Sequence, residues 1–417
     1  MKPAGQAGEA LPRRVAVFGA GRSGRAAIRL CRHAGISGEL FDEDPQCAES
    51  RSSFGERELG DFDAFVFSPG FASGHRWRVL CHESGLPCFG ETGFAASFWE
   101  GRLLGVTGTN GKSSVTSLLA ESLRRSGAEA VAAGNIGMPL SDLWVEQSGG
   151  AAAWAVCEIS SFQAELPEGL ALDGLVWTNF AEDHLDRYGS MESYLRAKAN
   201  LLDRLRPGAP SVLGPSVPLE PGSPLSDDTL PPVDLPEASP FSRGAQAENL
   251  RLVRKLWRAL DLPEASLLAA ASEYRQLPHR LQKVAERDGV VFWNDSKATN
   301  FHAALAAVRS MRDPVFWIGG GRAKGGDFAG FSDGLSGIIA GAYLYGEAGP
   351  ALAGHLSGKL DRVSVFTRLE AAVEAAACEA RAAAPATVLL SPGFSSFDQF
   401  SGFEERGECF TSALLSL

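Results

Sequence analysis

The sequence has no Cys-x-x-Cys pair, and its number of cysteines is odd. The seven cysteines are Cys31, Cys47, Cys81, Cys88, Cys157, Cys378 and Cys409. An odd set without paired spacing argues against a disulfide framework and against a structural zinc site. The cysteines therefore favour a reducing compartment, and we expect the protein in the cytoplasm.

Excess basic charge and long apolar runs are missing as well. The 39 Lys and Arg residues stand against 50 Asp and Glu, a formal net charge of −11, which leaves no electrostatic footprint for nucleic acid. No stretch approaches the roughly 18 apolar residues of a membrane span. The start, "MKPAGQAGEALPRR", has no apolar core of a secretion signal. We therefore expect neither a nucleic-acid partner nor a membrane span, and any bound phosphate must be held locally by loops.

What the sequence does have is an ordinary globular composition, with 45% hydrophobic and 21% charged residues. At roughly 150 residues per domain, 417 residues suggest about three domains. Apolar strand-like runs alternate with helical periods, which predicts an α/β fold. We predict a Rossmann-like N-terminal domain over 12–98, a central P-loop ATPase-type domain over 99–276 and a C-terminal Rossmann-like α/β domain over 277–417.

The strongest single motif is "GVTGTNGKSS", residues 105–114, between an apolar strand and a helical period. Backbone N–H groups at a helix N-terminus favour an anion, so this loop predicts a phosphate site. Lys112 would reach the β/γ-phosphates and Ser113 a magnesium ion. Val106 stands where the strict P-loop pattern has glycine. The alternative is a glycine-rich turn with a solvated lysine.

The first domain opens with a G-x-G-x-x-G turn formed by Gly19, Gly21 and Gly24, followed about twenty residues later by Asp42 at the end of a second strand. In such folds this acid hydrogen-bonds a ribose or base. A third strand ends in a turn at Ser68. The fingerprint alone leaves a nicotinamide cofactor open.

Glu158 follows the apolar run "AWAVC". That places it at the carboxyl end of a strand, where α/β proteins form their sites. A magnesium ligand is one reading, because Mg²⁺ prefers hard oxygen donors, and an acid facing solvent is the other. Farther along, the segment 206–243 is rich in Pro, Ser and Gly and has almost no periodicity, so we interpret most of it as a loop. The third domain carries five strand-like runs from "GVVFWND" to "ATVLLSPG", which predicts a parallel sheet.

Taken together, seven short motifs resemble the Mur ligase family from about residue 12 to the C-terminus. They are "TGTNGKSS", "GNIG", "EISSFQ", "NFAEDHLDRYGSMESYLRAK", "PHR", "NDSKATN" and "SPGFSSFDQFSGFEERGECF". Within the family, "NDSKATN" with "FDQFSGFEERG" is similar to members that join D-glutamate to UDP-N-acetylmuramoyl-L-alanine, and the D-x-P-R motif of relatives that add diaminopimelate or lysine is absent.

The resemblance implies an ATP-dependent amide ligase of peptidoglycan precursor synthesis that works through an acyl phosphate, with Mg²⁺. The residues implied to bind ATP are Gly108, Thr109, Asn110, Gly111, Lys112, Ser113, Ser114, Arg280 and Asp295. Those implied to act in catalysis or at the metal are Lys112, Ser113, Glu158, His184 and Lys198. Lys198 is implied to be carbamylated, which turns a cation into a carboxylate-like ligand; without the resemblance it is an ordinary surface lysine.

The resemblance also implies which residues contact the substrates. The UDP moiety is implied to contact Gly19, Gly21, Gly24, Asp42 and Ser68. The muramoyl-alanine end is implied to contact Asn135, Ser160, Ser161 and Gln163, for which a purely structural hydrogen-bonding role is the alternative. The D-glutamate pocket is implied to consist of Lys297, Thr299, Lys324, Ser396 and Phe403. We assign His279 no catalytic step.

One stretch departs from the family pattern. In "RGAQAENL", Gln246 and Ala247 stand where the family's adenine-contacting motif has His and Asn, while Asn249 is kept. Two alternatives therefore remain open: another ligase of the same superfamily, such as a folylpolyglutamate synthetase type, and a nucleotide-binding relative with impaired turnover. We expect small-molecule substrates, domain closure that excludes water from the acyl phosphate, and a monomer.

Overall fold

The structure is a computed structural model that describes residues 12–147, 153–219 and 230–415. These residues form two compact units: the chain up to Phe180 together with Glu192–Tyr274, and Ala181–Met191 together with the chain from Arg275 onward. The predicted central domain thus contributes Ala181–Met191 to the second unit. The predicted domain boundaries otherwise stay predictions.

The first unit starts with a parallel sheet of strand order β2-β1-β3-β4. Its elements are β1 (Arg14–Phe18), α1 (Arg22–His33), β2 (Ser37–Phe41), α2 (Glu56–Leu59), β3 (Ala64–Phe67), α3 (Arg76–Glu83), β4 (Cys88–Gly90) and α4 (Glu91–Ala96). One face of the sheet packs a cluster of aromatic rings that includes Phe18, Phe41, Phe65 and Trp77. β3 is buried at every position, as expected for a parallel strand covered on both faces.

A second sheet of the same unit has the order β6-β7-β5-β8-β9, and its neighbouring strands pair in parallel. Its strands are β5 (Arg102–Thr107), β6 (Ala130–Gly134), β7 (Trp154–Glu158), β8 (Gly174–Trp177) and β9 (Ser211–Leu213). Its helices are α5 (Lys112–Arg125), α6 (Leu140–Gln147), α7 (Ser161–Ala164), α9 (Met191–Ala199), α10 (Gly244–Ala259) and α11 (Glu264–Ser272). The short α8 (Leu185–Tyr188) lies in the segment that packs with the second unit.

The second unit carries a six-stranded sheet of order β10-β11-β15-β12-β13-β14. Its strands are β10 (Gln282–Arg287), β11 (Val290–Asn294), β12 (Val315–Gly320), β13 (Gly341–Tyr345), β14 (Val363–Phe366) and β15 (Ala386–Gly393). Its helices are α12 (Phe301–Arg309), α13 (Phe328–Leu335), α14 (Gly349–Leu356), α15 (Leu369–Ala382) and α16 (Phe403–Leu415). Buried clusters cover both faces of the sheet.

One interpretation of the sequence needs correction. The third sheet is not purely parallel, because β10 pairs antiparallel with β11. The turn between them has positive φ at both Asp288 and Gly289, the Asp-Gly geometry of a tight hairpin. The interpretation of most of the Pro-rich segment as a loop stands, since its strand β9 has only three residues, which pair with β8. Residues 220–229 of that segment lie outside the described ranges.

Among the described residues, no helix combines the length and the apolar character that crossing a bilayer requires.

Candidate active site

The phosphate-type loop lies where the sequence predicts it, between β5 and α5. Two of its glycines have positive φ, Gly108 at 142° and Gly111 at 82°. A Cβ on Gly108 would lie 2.0 Å from Oγ1 of Thr178, so the loop's close packing requires glycine. Nζ of Lys112 donates to the carbonyls of Gly108 (3.0 Å) and Thr109 (2.8 Å). Lys112, which would contact a bound phosphate, is thus held by two backbone carbonyls of the loop itself.

Ser113, Glu158 and Asn135 form a connected polar group beside this loop. Oγ of Ser113 donates to Oε2 of Glu158 at 2.5 Å, and Nδ2 of Asn135 donates to Oε1 of the same carboxylate at 2.8 Å. Glu158 is 3% exposed and Ser113 4%. The alternative of a solvent-facing acid is therefore wrong: β5 and β7 are neighbours in the sheet, and their ends bring these side chains together.

Lys198 is also part of this region. It is 1% exposed, and its Nζ donates to the Gly108 carbonyl at 2.8 Å and lies 3.4 Å from Oγ1 of Thr107. Its ammonium also lies 5.0 Å from the ring centroid of Tyr194, whose hydroxyl is 3.2 Å from Oγ1 of Thr109. The surface-lysine alternative is thus wrong, because the fold buries Lys198 against the phosphate-type loop.

The start of α10, where the sequence departs from the family, touches the same loop. Nε2 of Gln246 donates to Oγ of Ser114 at 3.1 Å, and Nδ2 of Asn249 donates to Oε1 of Gln246 at 3.0 Å. A Cβ on Gly111 would lie 2.5 Å from Nδ2 of Asn249. The altered stretch therefore supports the loop through side-chain amides.

The glycine turn of the first domain has Rossmann-type packing. A Cβ on Gly24 would lie 1.8 Å from the carbonyl oxygen of Gly19, so α1 approaches β1 as closely as the third glycine of such turns allows. Gly21 caps α1. The backbone N–H of Ala20 donates to Oδ2 of Asp42 at 2.6 Å, and Ser68 Oγ donates to the Gly19 carbonyl at 3.2 Å.

Ser160 and Gln163 satisfy each other in a capping box at the start of α7. Ser160 Oγ accepts from the Gln163 N–H at 3.2 Å, and Gln163 Oε1 accepts from the Ser160 N–H at 2.9 Å. Nε2 of Gln163 donates to Oγ1 of Thr92 at 3.0 Å, while Ser161 is 2% exposed. Ser160 and Gln163 therefore have the structural hydrogen-bonding role that the sequence left as an alternative. Their contact with a substrate stays a prediction.

In the second unit, a cleft contains two residues of the predicted acceptor pocket, Thr299 and Lys324. Lys324 Nζ donates to Oδ1 of Asp183 at 3.2 Å, and Nδ2 of Asn300 donates to Oδ2 of the same carboxylate at 3.1 Å. Burial by itself would raise the pKa of Asp183, but the charges of Lys324 and His184 and these hydrogen bonds outweigh it and hold the pKa below its usual range. The cleft therefore presents an ion pair.

The other predicted acceptor residues lie in the loops after β11 and β15 and at the start of α16. The ammonium of Lys297 lies 4.0 Å from the ring centroid of Phe403, a cation–π distance. Ser396 is 3% exposed, on the loop after β15. That loop pairs with the loop after β12 through Ser395 and Arg322. Lys297, Ser396 and Phe403 do not line the cleft of Thr299 and Lys324.

Asp295, predicted to contact ATP, already accepts two hydrogen bonds. Oδ1 accepts from the Leu281 N–H at 2.9 Å and Oδ2 from Ser391 Oγ at 2.8 Å. Burial raises the pKa of Asp295 to about 7, although these bonds and the charges of Arg280 and Arg406 act in the opposite direction. Arg280 lies in the segment just before β10, and its carbonyl accepts from Gln276. His279 is bonded to Asn294 through its ring at 3.1 Å.

The predicted metal ligands are distributed over both units. Ser113, Glu158 and Lys198 belong to the first unit and His184 to the second. In the part of the chain that the structure describes, no three His, Cys, Asp or Glu side chains form a group fit to hold a metal ion. A metal site that includes His184 stays a prediction.

Sequence reasoning missed Asp183 and Asn300, although both stand in motifs that carried the resemblance, "EDHLD" and "NDSKATN". It also missed Gln246 as a partner of Ser114. The available signal in the sequence was that Asp183 is adjacent to His184 and Asn300 is adjacent to Thr299. Which of several adjacent polar residues faces a cleft depends on tertiary packing.

A glycine-rich loop between the central strand of a parallel sheet and a helix, with a buried serine and carboxylate beside it, is the arrangement of P-loop-type nucleotide-binding proteins. Two family models match this chain, the Mur ligase middle domain over residues 106–216 and the Mur ligase, glutamate ligase domain, over residues 279–394. A UDP-N-acetylmuramoylalanine--D-glutamate ligase of Gloeobacter violaceus is 35% identical, over 97% of this chain and 99% of that protein. The chain belongs to the Mur ligase family.

Further similarities agree with this assignment. A relative of the same name from Phenylobacterium zucineum is 35% identical over 97% of this chain and 96% of its own. Among solved structures, UDP-N-acetylmuramate-alanine ligase from Thermotoga maritima has a TM-score of 0.58 at 14% identity and covers 97% of this chain and 99% of its own. MurF ligase from Thermotoga maritima in complex with ADP has a TM-score of 0.59 at 14% identity, over 96% and 95% of the two chains. These structures show that the fold is shared.

Proposed function

We propose that this protein joins D-glutamate to UDP-N-acetylmuramoyl-L-alanine at the expense of ATP, a cytoplasmic step of peptidoglycan precursor synthesis. The observation that carries the proposal is similarity over nearly the whole chain to ligases of that name, at 35% identity. The first-unit loop with Lys112 and the second-unit cleft with Lys324 supply the two kinds of chemistry that such a ligation needs.

The reaction proposed is a phosphoryl transfer followed by an acyl transfer. The terminal phosphoryl group of ATP passes to the carboxylate of the alanyl end, and the D-glutamate amine then attacks this acyl phosphate, forming the amide and releasing phosphate and a proton. Phosphoryl transfer depends mainly on positioning and on positive charge. Lys112 and the N–H groups of the loop from Gly108 to Gly111 are suited to hold the transferred group.

The same region fits a magnesium ion. Mg²⁺ prefers oxygen ligands, and the hydroxyl of Ser113 and the carboxylate of Glu158 stand side by side, 2.5 Å apart. When bound, Mg²⁺ would neutralise charge on the phosphates. Asn135 holds the Glu158 carboxylate in orientation through its amide.

Lys198 is proposed to carry a carbamate. Lys198 is 1% exposed and lies against the phosphate-type loop, where the oxygen atoms of a carbamate would be hard ligands of the kind that Mg²⁺ prefers. The amine adds to CO₂ with loss of a proton, and the product offers oxygen atoms in place of an ammonium. Lys198→Ala is expected to lose activity and to regain part of it with short-chain carboxylic acids, measured as phosphate release. An unmodified Lys198 in a high-resolution crystal structure of the fully active enzyme would contradict the carbamate.

The acceptor is proposed to bind the second unit. D-Glutamate brings two carboxylates, for which the cleft offers the cation Lys324 and the hydroxyl of Thr299. Lys297, Ser396 and Phe403, which lie outside that cleft, are proposed to supply the second cation, a hydroxyl and an aromatic ring. The UDP end is proposed to contact the loop of Gly19, Asp42 and Ser68. Small-molecule substrates and a monomeric state complete the proposal.

The test is phosphate release and product mass with ATP, Mg²⁺ and UDP-N-acetylmuramoyl-L-alanine, with and without D-glutamate. We expect the amide product only when all substrates are present. Lys112→Ala should keep less than about a tenth of wild-type kcat, a barrier increase above about 1.4 kcal/mol, whereas Lys359→Ala, a surface ion-pair variant, should match wild type. ATP binding without turnover would favour a nucleotide-binding relative, and a product with a pteroyl substrate would favour the folylpolyglutamate type.

A further inference from the structure

A buried ion pair joins α3 to the end of α7. Nη1 of Arg78 donates to Oε2 of Glu165 at 2.7 Å and to the Phe71 carbonyl at 3.0 Å, and Nη2 approaches the Glu165 carbonyl at 3.4 Å. The side chains are only 10% and 9% exposed. A charge-assisted pair removed from water is directional and resists screening by salt.

One end of the pair belongs to the glycine-turn region. Phe71 follows Ser68 by three residues, and Ser68 Oγ donates to the Gly19 carbonyl. The Phe71 ring lies 3.2 Å from the position of a Cβ on Gly19. The Arg78 side chain therefore binds the backbone of the loop that contains Ser68 and Phe71, and this loop packs against Gly19 of the proposed UDP site.

The other end belongs to the segment proposed for the muramoyl-alanine end. Glu165 is the C-cap residue of α7, whose N-cap is Ser160. The same short segment is bonded to α4 by the Gln163–Thr92 bond at 3.0 Å and to β4 by the Gly90 N–H, which donates to the Leu166 carbonyl at 3.1 Å. Arg78 thus connects the two loops that would hold opposite ends of one extended substrate.

We propose that Arg78 and Glu165 are positioning residues that set the spacing between the UDP-binding loop and the muramoyl-alanine-binding segment. The proposal rests on the function proposed above. A fixed spacing matters only for a ligand that reaches both places. The pair should therefore contribute to binding of the whole nucleotide-sugar-amino acid and little to binding of UDP alone, which reaches one end.

A second ion pair, between helices α1 and α6 beside the same two sheets, serves as the control. Arg29 of α1 makes two bonds of 2.8 Å to Asp142 of α6, but its side chain is 47% exposed and that of Asp142 is 20% exposed. It links two helices and contacts neither proposed substrate loop. Its removal tests whether the loss of an ion pair elsewhere between the two sheets' helices also affects binding.

The experiment measures the affinity of the full chain for UDP and for UDP-N-acetylmuramoyl-L-alanine by calorimetry, in wild type, Arg78→Gln, Glu165→Gln and Arg29→Gln. We expect affinity for the whole substrate to fall about tenfold in the first two variants, a coupling typical of contacting groups, with UDP affinity within about twofold. Arg78→Lys should rescue little, because a single ammonium cannot reproduce the guanidinium fork. Arg29→Gln should match wild type for both ligands.

Three outcomes overturn the inference: equal losses for both ligands, no loss in either variant, or the same selective loss in Arg29→Gln. Glu165→Gln keeps the Arg78–Phe71 bond and provides the answer where Arg78→Gln does not fold. A wild-type protein that fails to bind the whole substrate contradicts the proposed function instead, so the two failures are told apart.

Discussion

At the scale of single residues, Lys324 is a cation with an anionic partner already in place. Asp183 accepts from it at 3.2 Å, and Asn300 holds the same carboxylate. We expect Lys324→Ala to raise the KM for D-glutamate about ten- to a hundredfold, because a lost charge-assisted contact costs about 1.5–3 kcal/mol. Steady-state kinetics with varied D-glutamate and, separately, varied UDP substrate is the measurement.

The KM for the UDP substrate should stay near wild type in this variant, and Lys359→Ala provides a matched control because it removes a lysine–aspartate pair from the surface of the same unit. An unchanged D-glutamate KM, or a preference for lysine or diaminopimelate, would leave a Mur-type ligase without the D-glutamate assignment.

The raised pKa of Asp295 predicts that the stability of the protein depends on pH. Its pKa is about 7 in the folded protein against an ordinary 3.8, so between these values the folded state keeps a proton that the unfolded state has released. Stability then falls as pH rises through this window and levels off above pH 7. We expect the free energy of unfolding of wild type, relative to Asp295→Asn, to decline from pH 4 to pH 7 in urea titrations. A difference that is constant over this range would contradict the raised pKa.

At the scale of elements, the junction of β5 and α5 depends on close packing with α10. Gly111 has a φ of 82°, and a Cβ there would meet Nδ2 of Asn249 at 2.5 Å. Gly111→Ala should therefore lower the free energy of unfolding by more than the ~1–3 kcal/mol of a non-glycine residue in this conformation. It should also weaken ATP binding, because Asn249 and Gln246 would have to shift beside the loop.

Gly127, just beyond the end of α5, has a φ of 89° with nothing within 4 Å of its Cβ position. Gly127→Ala is thus the control with the same backbone conformation and no clash. Urea unfolding and calorimetry with ATP compare the two variants. Equal stability losses and equal ATP affinities would show that the contact with Asn249 is unimportant.

At the scale of the whole molecule, the seven cysteines report on packing. All are free: four are buried, Cys47 and Cys409 are partly exposed, and Cys378 is exposed. Burial raises the pKa of Cys31 to about 12 and of Cys88 to about 11, which suppresses the reactive thiolate. A thiol reagent at neutral pH should label one cysteine rapidly in the native protein and all seven after unfolding.

Cys378→Ser should remove the fast phase and leave activity unchanged, since the residue is exposed on α15, a helix that carries none of the proposed site residues. Rapid labelling of Cys31, Cys81, Cys88 or Cys157 in the native state would contradict the packing of the buried cores. Fewer than seven thiols after unfolding without reductant would contradict the reduced state expected from the cysteine spacing.

Much of the fold follows from local patterns. The phosphate-type loop, the glycine turn and the five parallel strands of the third domain appear where their apolar runs and glycines predict them, because these signals lie within a few residues of each other. The hairpin of β10 and β11 was missed although its Asp288-Gly289 turn is a local signal. The local sequence signal for strand β9 is weak, because a strand of three residues forms only through its pairing with the neighbouring strand β8.

The sequence alone determined the fold class and the motifs that place the chain in its family, because glycine spacing, strand-end acids and apolar periodicity are encoded locally. Tertiary structure alone decided which side chains meet. Burial of Glu158 and Lys198 beside one loop, the approach of Gln246 to Ser114, the pairing of Asp183 with Lys324 and the Arg78–Glu165 bridge all join residues between 45 and 141 positions apart. Contacts over such distances arise from strand order and packing, for which no short stretch of sequence carries a signal.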